Sequence, residues 1–381
     1  MKLTGKVSML REMVGRAAAV VDSKCTNETL RAIRIEAEGS VVSVYGTDMV
    51  TGVLVTSDSD ITVEEEGIAC LPAAELVSAL RSNSGDCSLE TNETKAKLIC
   101  GSRYNLSMID VADYPDPMVV PLATDMHDSP NIGKLLHNVS FASAKEATKF
   151  MLNGVWIDFE KDKTTAVASN GIILASSWTK KIAVDETDGS SDKVNLILPP
   201  TWCSLVERWA GETTRTQISI PPGVLVVANM PEDNMQTTVF GKLLDGKYPE
   251  WEAVFGNEYP VQVTFKTEDF KQALARILFI GDDFTDPAVT LVLLHNTVTL
   301  STNDMAGQDA KASFDVELKQ ANDEQFTVSF CPSFVSAMFS ATGFDEMNMS
   351  ICDVHTPLLF TRKKYYRFIV AQRKVSSDGK E

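Results

Sequence analysis

Leu243–Trp251 reads LLDGKYPEW, and the same Tyr-Pro dipeptide recurs in Asp113–Asp116, DYPD. Proline holds its own φ at about −65° and pushes the preceding residue towards extended geometry, so Tyr-Pro makes a stiff exit from a strand. Two such exits, each after a strand-like run, indicate one module used more than once.

Working outward, a hairpin pattern ending in small polar residues occurs three times: RIEAEGSVVSVYGTD (34–48), WIDFEKDKTTAVASNG (156–171) and LVLLHNTVTLSTND (291–304). Each hairpin is followed by a segment that opens on Pro and closes before Gly, the asymmetry of helix ends: LPAAELVSALRSNSG (71–85), LPPTWCSLVERWAG (198–211) and CPSFVSAMFSATG (331–343). Trp202, Leu205, Val206 and Trp209 share one face at helical spacing and read as core. Each hairpin is also preceded by an amphipathic stretch: VSMLREMVGRAAAVV (7–21), NIGKLLHNVSFAS (131–143) and DFKQALARILFIG (269–281). The expected fold is therefore α+β: three tandem copies of two helices on antiparallel sheet. The boundaries fall at 1–122, 123–256 and 257–375, with a polar tail at 376–381.

A chain of 381 residues is long enough for three domains of ordinary size. The N-terminus has no apolar signal core, and no apolar run reaches the roughly 18 residues of a membrane span, so a soluble, cytoplasmic protein without a membrane partner is expected. Seven cysteines form no Cys-x-x-Cys pair and read as free thiols. There is no phosphate loop, no nucleophile elbow and no His-Glu-x-x-His pair. The four histidines are scattered, and the acidic clusters at Asp58/Asp60, Glu64–Glu66, 185–192 and Asp282/Asp283 read as solvated turns. No catalytic residue, metal site or cofactor is expected; tandem copies without reactive groups point to architecture as the function.

The motifs resemble the bacterial sliding clamp family, the beta subunit of DNA polymerase III, along almost the full length. The resemblance rests on Gly46-Thr47-Asp48-Met49, on Arg103–Ser107 running to Asp113-Tyr114-Pro115, on Leu152-Asn153-Gly154-Val155 and on Leu244–Pro249, taken in order. It implies a non-catalytic head-to-tail homodimer, closed as a ring around double-stranded DNA without sequence preference. The implied partners are a replicative DNA polymerase, an ATP-dependent clamp loader and other clamp-binding repair proteins. A formal charge of −17 argues against nucleic acid unless the charge is unevenly spread. The segments 5–24 (Lys6, Arg11, Arg16 and Lys24 against Glu12 and Asp22) and 132–149 (Lys134, Lys145 and Lys149 against Glu146) are both net positive. Lys24 and Lys149 match basic family positions, with Arg81 and Arg208 behind them; Lys145, Lys271 and Arg276 complete the expected DNA-binding set.

The family's second site is a hydrophobic pocket for short peptide motifs, and the positions that match it are Leu152, Ser169, Gly171, Leu174, Pro249, Val254, Pro357, Val370 and Arg373. The chain departs from the family at Asn170–Ile173, at Ala253 and in its ending, Val370-Ala371-Gln372-Arg373-Lys374. A reading from another class stays open: a repeat-built scaffold that binds proteins and does not encircle DNA. The acidic residues around Lys271 and Arg276 favour it.

Overall fold

Each repeat alternates helical and two-residue periodicities in the same order, and the elements follow that order. In the computed structural model, which describes the chain apart from residues 93, 118–126, 129–130, 146–150, 161, 181–193, 211–215, 220–224, 233, 279–287, 304–308, 319–323, 354 and 374–381, each repeat contributes two helices. They are α1 (Val7–Ala18) and α2 (Ala73–Arg81), α3 (Ile132–Ser140) and α4 (Pro200–Trp209), and α5 (Thr267–Ile277) and α6 (Pro332–Thr342). Pro72 precedes the first residue of α2, while Pro200 and Pro332 open α4 and α6, where a missing N–H costs nothing. Only α6 ends on a left-handed glycine, Gly343 at φ 59°. The pattern over 71–85 predicts a helix up to Gly85, but α2 stops at Arg81. Arg11 of α1 caps it there, donating to the Leu80 carbonyl at 2.9 Å and to that of Asn83.

Among the described residues the strands form four antiparallel sheets. The first orders β5 (Ile61–Glu65), β1 (Lys2–Lys6), β7 (Asp86–Thr91), β8 (Lys95–Cys100) and β9 (Ser102–Ser107). The second orders β10 (His127–Asp128), β15 (Gln217–Ser219), β16 (Leu225–Pro231), β17 (Gln236–Lys242), β4 (Thr51–Ser57), β3 (Val41–Thr47), β2 (Ala32–Glu38) and β6 (Gly67–Pro72). The third orders β14 (Val194–Leu198), β11 (Val155–Phe159), β12 (Lys163–Ser169), β13 (Ile173–Lys180), β26 (Tyr366–Val370), β25 (Leu358–Arg362), β24 (Glu346–Ile351), β18 (Val261–Lys266) and β22 (Glu317–Leu318). The fourth orders β21 (Asp309–Asp315), β20 (Thr297–Asn303), β19 (Val289–Leu294) and β23 (Phe326–Phe330).

The sheets cross the repeats. The last strand of the second repeat, β17, pairs with the fourth strand of the first, β4; the last strand of the third repeat, β26, pairs with β13 of the second. The chain accordingly divides into two compact units, Met1–Lys134 with Ile182–Gly189 and Leu198–Leu244, and Leu135–Lys181 with Ser190–Ile197 and Asp245–Glu381. The second repeat gives α4 and β15 to β17 to unit 1, and β11 to β13 to unit 2.

In unit 1, α1 buries Val7, Leu10, Met13, Val14 and Ala17 against β3, β4 and α2. Trp202 of α4 is wholly buried, and its Nε1 donates to the Val239 carbonyl at 3.1 Å. In unit 2 the core is phenylalanine-rich: Phe270 of α5 lies between Phe265, Phe314, Phe330, Phe339 and Phe360, with ring centroids 5.2 to 6.4 Å away. The described cysteines are free, as expected, and burial pushes the Cys70 and Cys87 thiols up to about 11, so neither is a thiolate at neutral pH.

Two charge assignments change. Glu64 and Glu65 belong to strand β5 and not to a turn, and Glu64 meets Lys2 at 2.6 Å. The positive count of segment 5–24 is mostly spent inside unit 1. Lys6 reaches Asp86 at 2.7 Å, and Arg11 serves as the α2 cap. Arg16 binds Glu12 at 2.9 Å, Glu232 at 2.7 Å and the Thr237 hydroxyl at 2.7 Å, with its guanidinium 5.7 Å from the Trp209 ring centroid.

The two Tyr-Pro tyrosines are buried plugs. Burial pushes both phenols well above the usual tyrosine value. The Tyr114 hydroxyl lies 3.1 Å from the Ala32 carbonyl, to which it donates, and 3.4 Å from that of Tyr45. The Tyr248 hydroxyl lies beside the Ser169 backbone without a well-formed hydrogen bond. Removing a satisfied hydroxyl loses a bond worth about 1 kcal/mol, whereas removing an unsatisfied one relieves a desolvation cost. Thermal or urea melts should therefore find Tyr114→Phe destabilised by roughly 1 kcal/mol and Tyr248→Phe neutral or slightly stabilised; equal losses would refute this difference.

Candidate functional site

Two junctions between repeats carry the same loop. In unit 2, the Ser169 hydroxyl donates to the Ile173 carbonyl at 2.7 Å and accepts from the Gly171 N–H at 3.1 Å. Asn170 Oδ1 accepts from the N–H groups of Ile172 and Ile173 at 2.8 and 2.9 Å. In unit 1, Thr47 donates to Thr51 at 2.9 Å and accepts from Met49 at 2.9 Å, while Asp48 accepts from Val50 and Thr51 at 2.9 and 2.6 Å. Each loop is tied to the neighbouring repeat by one further backbone bond of 2.9 Å, Ala371 N–H to Ile172 O in unit 2 and Lys242 N–H to Val50 O in unit 1. Gly171 takes the left-handed conformation at φ 88°, and Met49 does so at φ 73°.

The loops match, but the sheet surface beside them does not. Opposite Thr47 stands Gly52, which faces Phe240; opposite Ser169 stands Leu174, which faces Ile369. A Cβ on Gly52 would come within 2.8 Å of the Tyr45 hydroxyl, so glycine leaves the room that the Tyr45 ring fills, with Tyr114 edge-on at 6.4 Å. Tyr45 and Phe240 are each 2% exposed. Unit 1 thus covers the floor of its junction with its own aromatic side chains, although Met49 and Val50 on its loop remain 49% and 43% exposed.

Unit 2 leaves apolar groups at its rim. Ile172 is 48% exposed and Val254 36%. Met151, next to Leu152, is also exposed and packs against Gly246, and Pro249 and Gly171 are exposed as well. Leu152 and Pro357 are half-buried, and the Pro357 carbonyl accepts from the Tyr259 hydroxyl at 3.1 Å. Ser169 and Leu174 form a floor with little exposed surface, at 8% and 7%. Val370 faces Ile173 and Leu358 and has no exposed surface, so it supports the floor from behind instead of lining it. Arg373 is exposed, its N–H donating to the Ser329 carbonyl at 2.8 Å. What unit 2 offers is an apolar strip along this junction, the unit 2 groove, whose chemistry suits a peptide's apolar side chains.

The wall after Pro249 contains residues outside the family motifs. Trp251 is buried and stacks at 5.7 Å on Trp156 and at 6.1 Å on Phe255, and Arg367 of β26 lies over the Phe255 ring at 4.1 Å. The density of aromatics in YPEWEAVF was the available signal. Arg367 carried none, because its partners lie over a hundred residues away in the sequence.

Of the basic positions, Lys24 lies in the turn after α1, Arg81 ends α2 and Arg208 is near the end of α4, all exposed in unit 1. In unit 2, Lys145 follows α3 and is exposed, Arg276 on α5 is exposed and Lys271 on α5 is half-buried. Lys149 lies outside the described residues. None of the six described cations is ion-paired among the described residues, in contrast to Lys6 and Arg16. Helix α5 also carries Glu268 and Asp269 in its first turn, while Asp282 and Asp283 lie outside the described residues. Among the described residues no group of three or more His, Cys, Asp or Glu is placed to hold a metal ion. No described helix is long and apolar enough to cross a membrane.

Residues 1–119 match the family model for the N-terminal domain of the DNA polymerase III beta subunit, and residues 128–250 match that for its central domain. The beta sliding clamp of Pseudomonas aeruginosa is 22% identical over 349 residues, covering 90% of each chain. That of Caulobacter vibrioides is 23% identical over 375 residues, covering 94% of this chain and 95% of its own. Among solved structures, the DNA polymerase sliding clamp of Bacillus subtilis superposes with a TM-score of 0.87 at 19% identity, covering 98% of this chain and 99% of its own. The Pseudomonas aeruginosa DNA polymerase III subunit beta bound to griselimycin gives 0.85 at 20% identity, covering 98% and 100%. Family models over the first two repeats, relatives matched along nearly the whole chain and a shared fold agree: the chain belongs to the bacterial DNA polymerase III beta subunit family, the beta sliding clamps.

Proposed function

We propose that this chain is a non-catalytic DNA sliding clamp of three modules (1–122, 123–256 and 257–375). It closes as a head-to-tail homodimer around duplex DNA and tethers the replicative polymerase and repair proteins through the unit 2 groove. An ATP-dependent loader is required, since a closed ring has no free path onto a circular duplex.

The observation that carries this reading is a pair of unpaired sheet edges. Among the described residues β9 ends one of the two sheets of unit 1, and β21 ends one of the two of unit 2. β9 is the last strand of its repeat, as β17 and β26 are; β21 is the fourth strand of its repeat, as β4 and β13 are. Both β4 and β13 are already paired by a last strand. Completing the series requires β9 of one protomer against β21 of another, and doing so twice closes a twofold and removes both edges.

The register follows from the two junctions inside the chain. Thr302, buried like Thr47 and Ser169, faces Ala310, which therefore corresponds to Gly52 and Leu174. Leu106 precedes Tyr114 by the same interval as Phe240, the partner of Gly52, precedes Tyr248. Leu106 should thus face Ala310, and Asn105 should face Lys311.

Directly opposed antiparallel residues have Cα atoms about 4.5 to 5.5 Å apart, within disulfide range. The double variant Asn105→Cys with Lys311→Cys should give a covalent dimer on mild oxidation, absent from either single variant. A monomer by sedimentation at micromolar concentration, with no such cross-link, would overturn the ring.

DNA binding is assigned to Lys24, Arg81, Lys145, Lys149, Arg208, Lys271 and Arg276, with retention supplied by topology. Phosphate binding of this kind is sequence-independent and salt-sensitive. Replacing Lys24, Arg81 and Arg208 by Glu should preserve the fold, because all three are exposed, with a loss of about 1 kcal/mol for each of the two helix-end sites. It should also flatten the slope of log affinity against log salt by about one for each phosphate no longer neutralised. Loaded protein should stay on closed circles in high salt and leave once they are linearised. Equal dissociation from circles and linear DNA would favour the protein-binding scaffold.

A further inference from the structure

Arg367 stands on β26 opposite Ser176, on the same sheet face as Ile369, which faces Leu174 on the groove floor. Its guanidinium lies 4.1 Å from the Phe255 ring centroid and 5.7 Å from that of Trp251, the two aromatics that flank Val254 in the groove wall. Stacking of this kind satisfies the faces of the guanidinium plane and uses none of its five in-plane N–H donors. Among the described residues no oxygen accepts from Arg367.

The other half-buried arginines differ. Arg11 and Arg31 donate to backbone carbonyls, and Arg16, Arg34 and Arg362 to carboxylates at 2.7 to 3.1 Å. The carboxylate that Arg367 feels is that of Glu252, which is exposed and forms no ion pair with it. Burial lowers the Arg367 pKa, with Glu252 opposing, and an arginine remains charged at neutral pH regardless. A desolvated, pre-oriented fork with empty donors favours a planar carboxylate, which it can bind through two parallel hydrogen bonds.

We propose that Arg367, held by Trp251 and Phe255, is a carboxylate-reading subsite of the docking groove, so that the peptide it accepts carries an acidic side chain beside its apolar anchor. This rests on the groove being the peptide site. Arg367 and Ile369 are two residues apart on one strand, about 7 Å. An extended peptide presents residues i and i+2 on one face at the same spacing, so the acid belongs two positions from the apolar anchor, for which leucine serves as the probe.

The test compares two capped peptides, acetyl-Asp-Ser-Leu-Phe-amide and its Asn counterpart, titrated by calorimetry into the wild-type dimer and into Arg367→Gln and Arg367→Lys. The wild type should bind the Asp peptide about tenfold more tightly, the effect of one charge-assisted pair, and the preference should shrink with salt. Arg367→Gln should bind both peptides as the wild type binds the Asn peptide; Arg367→Lys should recover part of the preference. Equal wild-type affinity for the two peptides would overturn the subsite and leave the groove standing. So would an Arg367→Gln loss that is the same for both, which would make Arg367 only a prop for the wall. Failure of both peptides to bind the wild type would remove the groove reading itself, and the subsite with it. Should Arg367→Gln fail to fold, the wild-type comparison at low and high salt decides alone.

Discussion

Backbone pairing between the last strand of one repeat and the fourth strand of the repeat before it governs the rest of this molecule. An isolated repeat would leave two rows of unpaired N–H and C=O groups, and each junction, β17 with β4 and β13 with β26, closes one from each side. The junctions make the compact units straddle the repeats, with the second repeat shared between them. They also set each connecting loop against the neighbouring repeat by a fixed backbone bond. The groove of unit 2 exists because a loop, a strand end and the Pro249 segment meet at such a junction.

Identical backbones then diverge by side-chain volume. Where unit 1 has Gly52 under the Tyr45 ring, unit 2 has Leu174, with Val167 in the register position of Tyr45. Aromatic rings bury large areas, so a tyrosine laid over a glycine seals a surface, whereas a leucine floor with Ile172 and Val254 at its rim leaves apolar area in water. The duplicated junctions thus differ in their floors, aromatic in unit 1 and aliphatic in unit 2, while both loops keep apolar side chains in water.

Charge is distributed by the same long-range logic. Arg16 looks in sequence like a solvated helix cation, but its carboxylate partner Glu232 comes from the following repeat. Lys6 and Arg11 are likewise drawn to Asp86 and to the end of α2. The cations left without a carboxylate sit mostly at helix ends, Arg81, Arg208 and Arg276 among them, where the favourable end of the helix dipole also holds them. A count of charges along a helix therefore overstated the positive surface of segment 5–24.

Local periodicity was enough to determine the threefold repeat, the α+β class and the six described helices within a few residues of their ends, because those features depend on neighbours three or four positions away. The Tyr-Pro exits were legible as well, since proline acts on its own φ and on the residue before it. The family motifs also named most of the groove, though not Trp251, Phe255 or Arg367. Which strands share a sheet, where the compact units divide, that Val370 is wholly buried and that Tyr45 covers Gly52 were decided by tertiary structure alone. Those outcomes depend on pairings between residues far apart in the chain, where a side chain's role is set by the volume and hydrogen-bonding capacity of partners that its own sequence neighbourhood does not contain.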